Sequence, residues 1–69
     1  MTYEQRARKL RDGRGWYPGR TDLFHWSGDG QPEMMAYSSD GKQSKRFVGT
    51  TYRAALKAAV LFCEHKNNH

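Results

Sequence analysis

The sequence predicts an α+β domain: a short N-terminal helix, a three-stranded antiparallel sheet and one long C-terminal helix packed on the sheet. Three observations carry this expectation. Residues 50–65 join a threonine cap to an alanine-rich stretch with 3.6-residue apolar spacing. Asp40-Gly41 sits between two extended runs as a hairpin signal. Thr2 followed three residues later by Gln5 is a capping box that opens the first helix. At 69 residues the chain is read as one domain, 1–69, with a basic helix and loop in 1–20, the sheet in 21–48 and the helix in 50–65. A domain of this size hides only about 60% of the surface of its unfolded chain, so its core is thin.

In the first helix Tyr3, Ala7 and Leu10 share one face. Arg6, Arg8, Lys9 and Arg11 occupy the other, and Arg14 lies just beyond. So short a helix needs docking or binding to persist, and its basic face reads either as a solvated end or as an arm that contacts phosphates. The breakers Gly13, Gly15, Pro18 and Gly19 make residues 12–20 a loop that carries Trp16 and Tyr17. These rings either cap one end of the core or, interleaved with Arg14 and Arg20, stack on bases or sugars.

Residues 21–26 read as the first strand, and the turn formers of 27–32 end it. Residues 34–39 form the second. A two-residue mirror-image turn at Asp40-Gly41 pairs Ser39 with Lys42, which sets Tyr37 opposite Ser44, Ala36 opposite Lys45, Met35 opposite Arg46 and Met34 opposite Phe47. One sheet face then carries Met34, Ala36, Lys45 and Phe47, and the other Met35, Tyr37, Arg46 and Val48. Neither is wholly apolar, so the pattern leaves open which one meets the helix. Gly49 ends the third strand, Thr50 or Thr51 caps the last helix near Tyr52, and Tyr52, Ala55, Leu56, Ala59, Phe62 and Cys63 form its core stripe. Arg53, Lys57 and Glu64 fall on the far side, and residues 65–69 read as a frayed tail.

The formal net charge is +5, unevenly spread. Residues 1–20 hold six basic and two acidic side chains, 21–42 one and four, and 43–69 five and one. If the two basic ends meet in space they form one positive surface suited to a polyanion; if not, the charge serves solubility. One cysteine rules out an internal disulfide framework, and with neither an apolar run nor a leader pattern the chain is expected to be cytoplasmic, in a reducing compartment and away from membranes.

Metal binding is not expected. Cys63 and His65 diverge on a helix, and His65 and His69 stand four apart only in the tail. Asp22, His25, Asp29 and Glu33 have no nucleophile or phosphate loop to frame them, so no catalytic residue and no cofactor is expected.

Residues 35–62 resemble the three-stranded DNA-binding domains of plant ethylene-response factors and of the arm-binding N-termini of tyrosine recombinases from phages and mobile elements. The likeness lies in Ala36-Tyr37, the turn Asp40-Gly41-Lys42, basic Lys45-Arg46, Phe47-Val48, and Gly49-Thr50 before the alanine-rich helix. It implies a sheet face laid in the major groove with the helix behind, Val48 turned inward, Lys45 and Phe47 toward DNA, and Arg46 pointing inward with Val48 unless it lies at the sheet edge, where its stem packs and its head reaches water or phosphate. A second likeness, to double-stranded-RNA-binding domains, lies in the order helix, three strands, helix. There the first helix and the start of the last one track minor grooves.

The expected function is therefore non-enzymatic nucleic-acid binding, duplex DNA first, in an accessory or regulatory factor of the phage or mobile-element kind. Arg6, Arg8, Lys9, Arg11, Arg14, Arg20, Lys42, Lys45, Arg46 and Phe47 are the contact residues. The alternative from another class is a protein-interaction module, a small inhibitor or adaptor, whose partner touches Trp16, Tyr17, Phe24 and Trp26.

Overall fold

The computed structural model describes residues 1–19 and 32–68. Within them the order is α1 (Tyr3–Asp12), β1 (Tyr17–Pro18), β2 (Glu33–Tyr37), β3 (Ser44–Val48) and α2 (Tyr52–Asn67). The strands form one antiparallel sheet in the order β1-β2-β3. Helix α2 packs across all three strands, and α1 packs on α2 and β1. This is the expected α+β layout.

Both helices start where their caps dictate. The Thr2 side chain accepts the Gln5 N–H at 3.1 Å while the Gln5 side chain accepts the Thr2 N–H at 2.9 Å. Thr51 caps α2 by accepting the Ala54 N–H at 3.1 Å. The last helix also runs past the expected end, to Asn67, so most of the tail expected to fray is helical.

The strand beside β2 is not the expected one. Residues 21–26 lie outside the described residues, and β1 is Tyr17–Pro18, inside the stretch expected to be a loop. Pairing Tyr17 with Tyr37 and Pro18 with Ala36 puts a proline in the ladder, which an edge strand tolerates because its missing N–H need face no partner. The Gly19 N–H extends the pairing to the Met35 carbonyl at 2.6 Å.

The hairpin register is the expected one, from Met34 opposite Phe47 to Tyr37 opposite Ser44. Its turn differs. The Gly41 N–H closes onto the Ser38 carbonyl at 3.0 Å and Ser38 N–H donates to Gln43 at 2.9 Å, so the loop has four residues, 39–42, instead of two. Adding one residue on each side leaves the sum of paired numbers unchanged, which is why the pairs survive. Gly41 supplies the left-handed conformation, φ 74°, that the turn requires.

Asp40 holds this loop together. Its carboxylate accepts the Ser38 hydroxyl at 2.6 Å and the Lys42 N–H at 3.0 Å, and the Gln43 N–H donates to the same Ser38 oxygen at 3.0 Å. The Ser38 bond first, and then the Lys42 N–H, hold the carboxyl below its ordinary pKa. A group depressed in the folded state contributes fully above its unfolded value of about 3.9 and loses that contribution as pH falls through the folded value. An NMR titration should therefore place the Asp40 midpoint below that of a free aspartate. Asp40→Asn should remove this part of the acid sensitivity, and an unshifted midpoint would contradict the network.

The core joins Ala7 of α1, Met34 of β2 and Ala55, Leu56, Ala59 and Val60 of α2, with Tyr3, Leu10 and Phe47 packed at its margin. Met34 and Ala36 are buried, so their face, shared with Lys45 and Phe47, is the one that meets α2. Val48, expected to point inward, is 38% exposed. The groove-facing placement of Lys45 and Phe47 is thus overturned, because burying Met34 decides the face for every residue in register with it.

The α2 stripe is rotated from its expected position. Val60 is buried and Tyr52 is 47% exposed, since α1 covers a second flank of the helix. Glu64, expected on the far side, is half-buried on that flank against Arg6 of α1. Cys63 is buried, and desolvation first, then the nearby Glu64 charge, push its thiol up to about 11, so it stays protonated and unreactive at neutral pH.

Candidate nucleic-acid interface

Packing α1 on α2 brings the two basic ends of the chain together around the C-terminal end of α2. The join is specific. Asn67 Oδ1 accepts the Trp16 N–H at 2.8 Å and Asn67 Nδ2 donates to the Trp16 carbonyl at 3.0 Å. Gly15 makes this possible: its φ is +113°, and a Cβ there would come within 2.9 Å of Asn67 Cγ. A reciprocal amide pair therefore locks the loop after α1 onto the last turn of α2.

Two openings flank this lock. On one side a groove between the helices is lined by Arg6, Lys9, Arg14, Glu64, Asn67 and Asn68. On the other an open cleft of about 540 Å³ is lined by Trp16, Lys42, Lys45, Phe62 and Lys66. Phe62 is the hub of the second. Trp16 meets it edge to face at 5.2 Å between centroids, Phe47 packs at 5.3 Å, and the ammonium groups of Lys45 and Lys66 lie 5.0 and 5.7 Å from its centroid.

The described ion pairs decide which cations are available. Arg6 is held by both carboxylate oxygens of Glu64, with Nε to Oε2 at 2.9 Å, and that hydrogen bond raises its pKa further. Arg46 Nε lies 3.4 Å from Glu33 Oε2, diagonally across the outer sheet face. Arg8, Lys9, Arg11, Arg14, Lys42, Lys45 and Lys66 are exposed and have no ion pair among the described residues.

Of the ten expected contact residues, the structure thus brings Lys9 and Arg14 to one side of the lock and Lys42 and Lys45 to the other. Arg8 and Arg11 project from α1. Phe47 is half-buried against Phe62, Arg6 and Arg46 are paired to carboxylates, and Arg20 lies outside the described residues. Of the aromatic residues named for a protein partner, Trp16 packs on Phe62 and Tyr17 lies 5.9 Å from Tyr37, while Phe24 and Trp26 are outside the described residues.

Sequence reasoning missed Phe62, Lys66 and Asn67 as site residues. The spacing of Phe62 and Lys66 at i, i+4 is the signal that could find them, provided the helix is extended through residue 66 instead of ending in a frayed tail.

A comparison with protein-family models, curated proteins and solved structures finds no match. Among the described residues no three His, Cys, Asp or Glu side chains gather as a metal site, and no helix is long and apolar enough to cross a membrane.

Proposed function

We propose that this chain is a small non-enzymatic nucleic-acid-binding protein, an accessory or regulatory factor that holds duplex DNA on the basic surface around the C-terminal end of α2. One observation carries the reading: Lys9, Arg14, Lys42, Lys45 and Lys66, from stretches of the sequence far apart, line two openings beside a single helix end without carboxylate partners among the described residues. A helix C-terminus attracts cations, but its partial charge of about half a unit accounts for one of them and not for five. Phosphates are the natural counter-charge for the remainder.

This contact mode differs from the one the family resemblance implies. The outer sheet face offers one described cation, Arg46, and Glu33 neutralises it. Helix ends and the hairpin turn would then track the backbone. Duplex DNA ranks above duplex RNA because Thr51, Tyr52 and Arg53 stand at the start of α2, where an RNA-binding domain of the kind described above usually has paired lysines.

The test is fluorescence anisotropy with labelled duplex DNA, single-stranded DNA and duplex RNA at two salt concentrations. Duplex DNA should bind most tightly and weaken steeply with salt, by about 0.9 in log K per log salt for each phosphate neutralised. Salt-insensitive binding, or no binding at low salt, would remove the reading. Glu64→Gln should free Arg6 and steepen the slope by about 0.9, which a salt titration of that variant checks.

A further inference from the structure

The cleft beside Trp16 has a composition that a duplex-backbone surface does not need. Lys42, Lys45 and Lys66 converge on it with no carboxylate among its lining residues. Two of these ammonium groups are held within 6 Å of one phenyl centroid, at 5.0 and 5.7 Å from Phe62. Like charges brought together in this way repel, and the ring's negative face offsets only part of that repulsion. An anion of phosphate size offsets the rest.

Trp16 forms another wall of the same cleft. Its backbone is fixed on both sides by the Asn67 amide and its ring packs edge to face on Phe62 at 5.2 Å, so the indole is preorganised rather than free to fold away. A ring beside a cluster of cations is the arrangement that single-stranded nucleic-acid sites use, with the backbone on the cations and a base on the ring. A paired base is stacked within its helix and cannot reach such a wall.

We infer that this cleft takes one unpaired nucleotide of a DNA strand, its phosphate among Lys42, Lys45 and Lys66 and its base against Trp16. The inference rests on the nucleic-acid reading above and adds a preference to it: the protein favours DNA in which a duplex meets a single-stranded tail.

The test compares a blunt 16-base-pair duplex with the same duplex carrying a five-thymidine tail, by anisotropy and by tryptophan fluorescence. With Trp26→Phe in every protein compared, so that Trp16 alone emits, the tailed duplex should bind at least about tenfold more tightly and quench the tryptophan emission, whereas the blunt duplex should not quench. The paired variant Lys45→Gln, Lys66→Gln should erase the preference for the tail and leave at least part of the blunt-duplex affinity. Arg53→Gln, an exposed cation elsewhere on α2, should leave the preference intact. Circular dichroism of each variant shows that the fold survives, and because both lysines are exposed their loss opens no core cavity.

Equal affinity for the two duplexes, or quenching that survives loss of both lysines, would overturn the cleft assignment while leaving duplex binding in place. Absence of binding to either would overturn both readings together.

Discussion

Changing Lys9, Arg14, Lys45 and Lys66 together to glutamine will lower the affinity for duplex DNA about a thousandfold at 0.1 M salt and flatten the salt slope by three to four units. The reasoning is electrostatic. Each phosphate neutralised releases about 0.9 counterion, so four lost contacts remove about 3.6 from the slope, worth 10³ or more at that salt. The four residues come from α1, the loop after it, β3 and the end of α2, and they are neighbours because α1 and the sheet both pack on α2, with the Asn67–Trp16 lock and the Arg6–Glu64 pair joining the two ends of the chain. None is buried or ion-paired among the described residues, so the fold should tolerate the change. A salt titration of the quadruple variant beside the parent reads the effect directly. An unchanged slope would mean that these cations do not face the phosphates.

Leu56→Ala will produce the largest loss of stability of any alanine substitution in α2, about 2–4 kcal/mol. Leu56 is 2% exposed and sits in the cluster that joins Met34 of the sheet to Ala7 of α1. Two of its four buried neighbours on α2, Ala55 and Ala59, are alanines, which cannot move in to fill the gap, so the removed methyl groups leave a cavity. A domain of this length has only about 3–10 kcal/mol of total stability, and the melting temperature should fall by 10 °C or more. The control is Leu61→Ala on the same helix. Leu61 is 43% exposed, so the same change in side chain should shift the transition little. Thermal melts followed by circular dichroism separate the two, and similar melting temperatures would place the core elsewhere.

The elements legible in the residues were those specified locally. Both caps depend on a hydroxyl three positions before an amide, the start of α2 on Thr51, and the strand pairs on the position of Asp40-Gly41 between two runs of equal length. Such signals act within a few residues and need no knowledge of what lies across the core. The true turn differs from the expected one by a residue on each side, and the pairs are unaffected, because register depends on the centre of the loop.

The functional surface was legible in part. Lys9 and Arg14 were named from charge and Lys42 and Lys45 from charge together with the family resemblance, whereas Phe62, Lys66 and Asn67 were not named, because nothing local distinguishes a polar helix end that frays from one whose amide is seized by a distant backbone. Val60 is missing from the expected core stripe of α2 and Glu64 was placed on its far side for a related reason. A helical period locates a stripe, but its width depends on how many neighbours cover the helix, and α1 adds a second one.

The residues alone were enough for the order of helix, antiparallel sheet and helix, the pairing of β2 with β3, and the existence of two basic ends flanking an acidic middle. The orientation of the sheet was not available to them. Both faces mix apolar with charged side chains, so the choice rests on which set buries more when α2 closes over it, and Met34 with Ala36 wins over Met35 with Val48. That choice carries Lys45 and Phe47 to the helix side, beside Phe62. The meeting of the two basic ends likewise depends on contacts some fifty residues apart in sequence, between Trp16 and Asn67 and between Arg6 and Glu64. Local pattern has no term for such contacts, because their free energy appears only once the chain has closed.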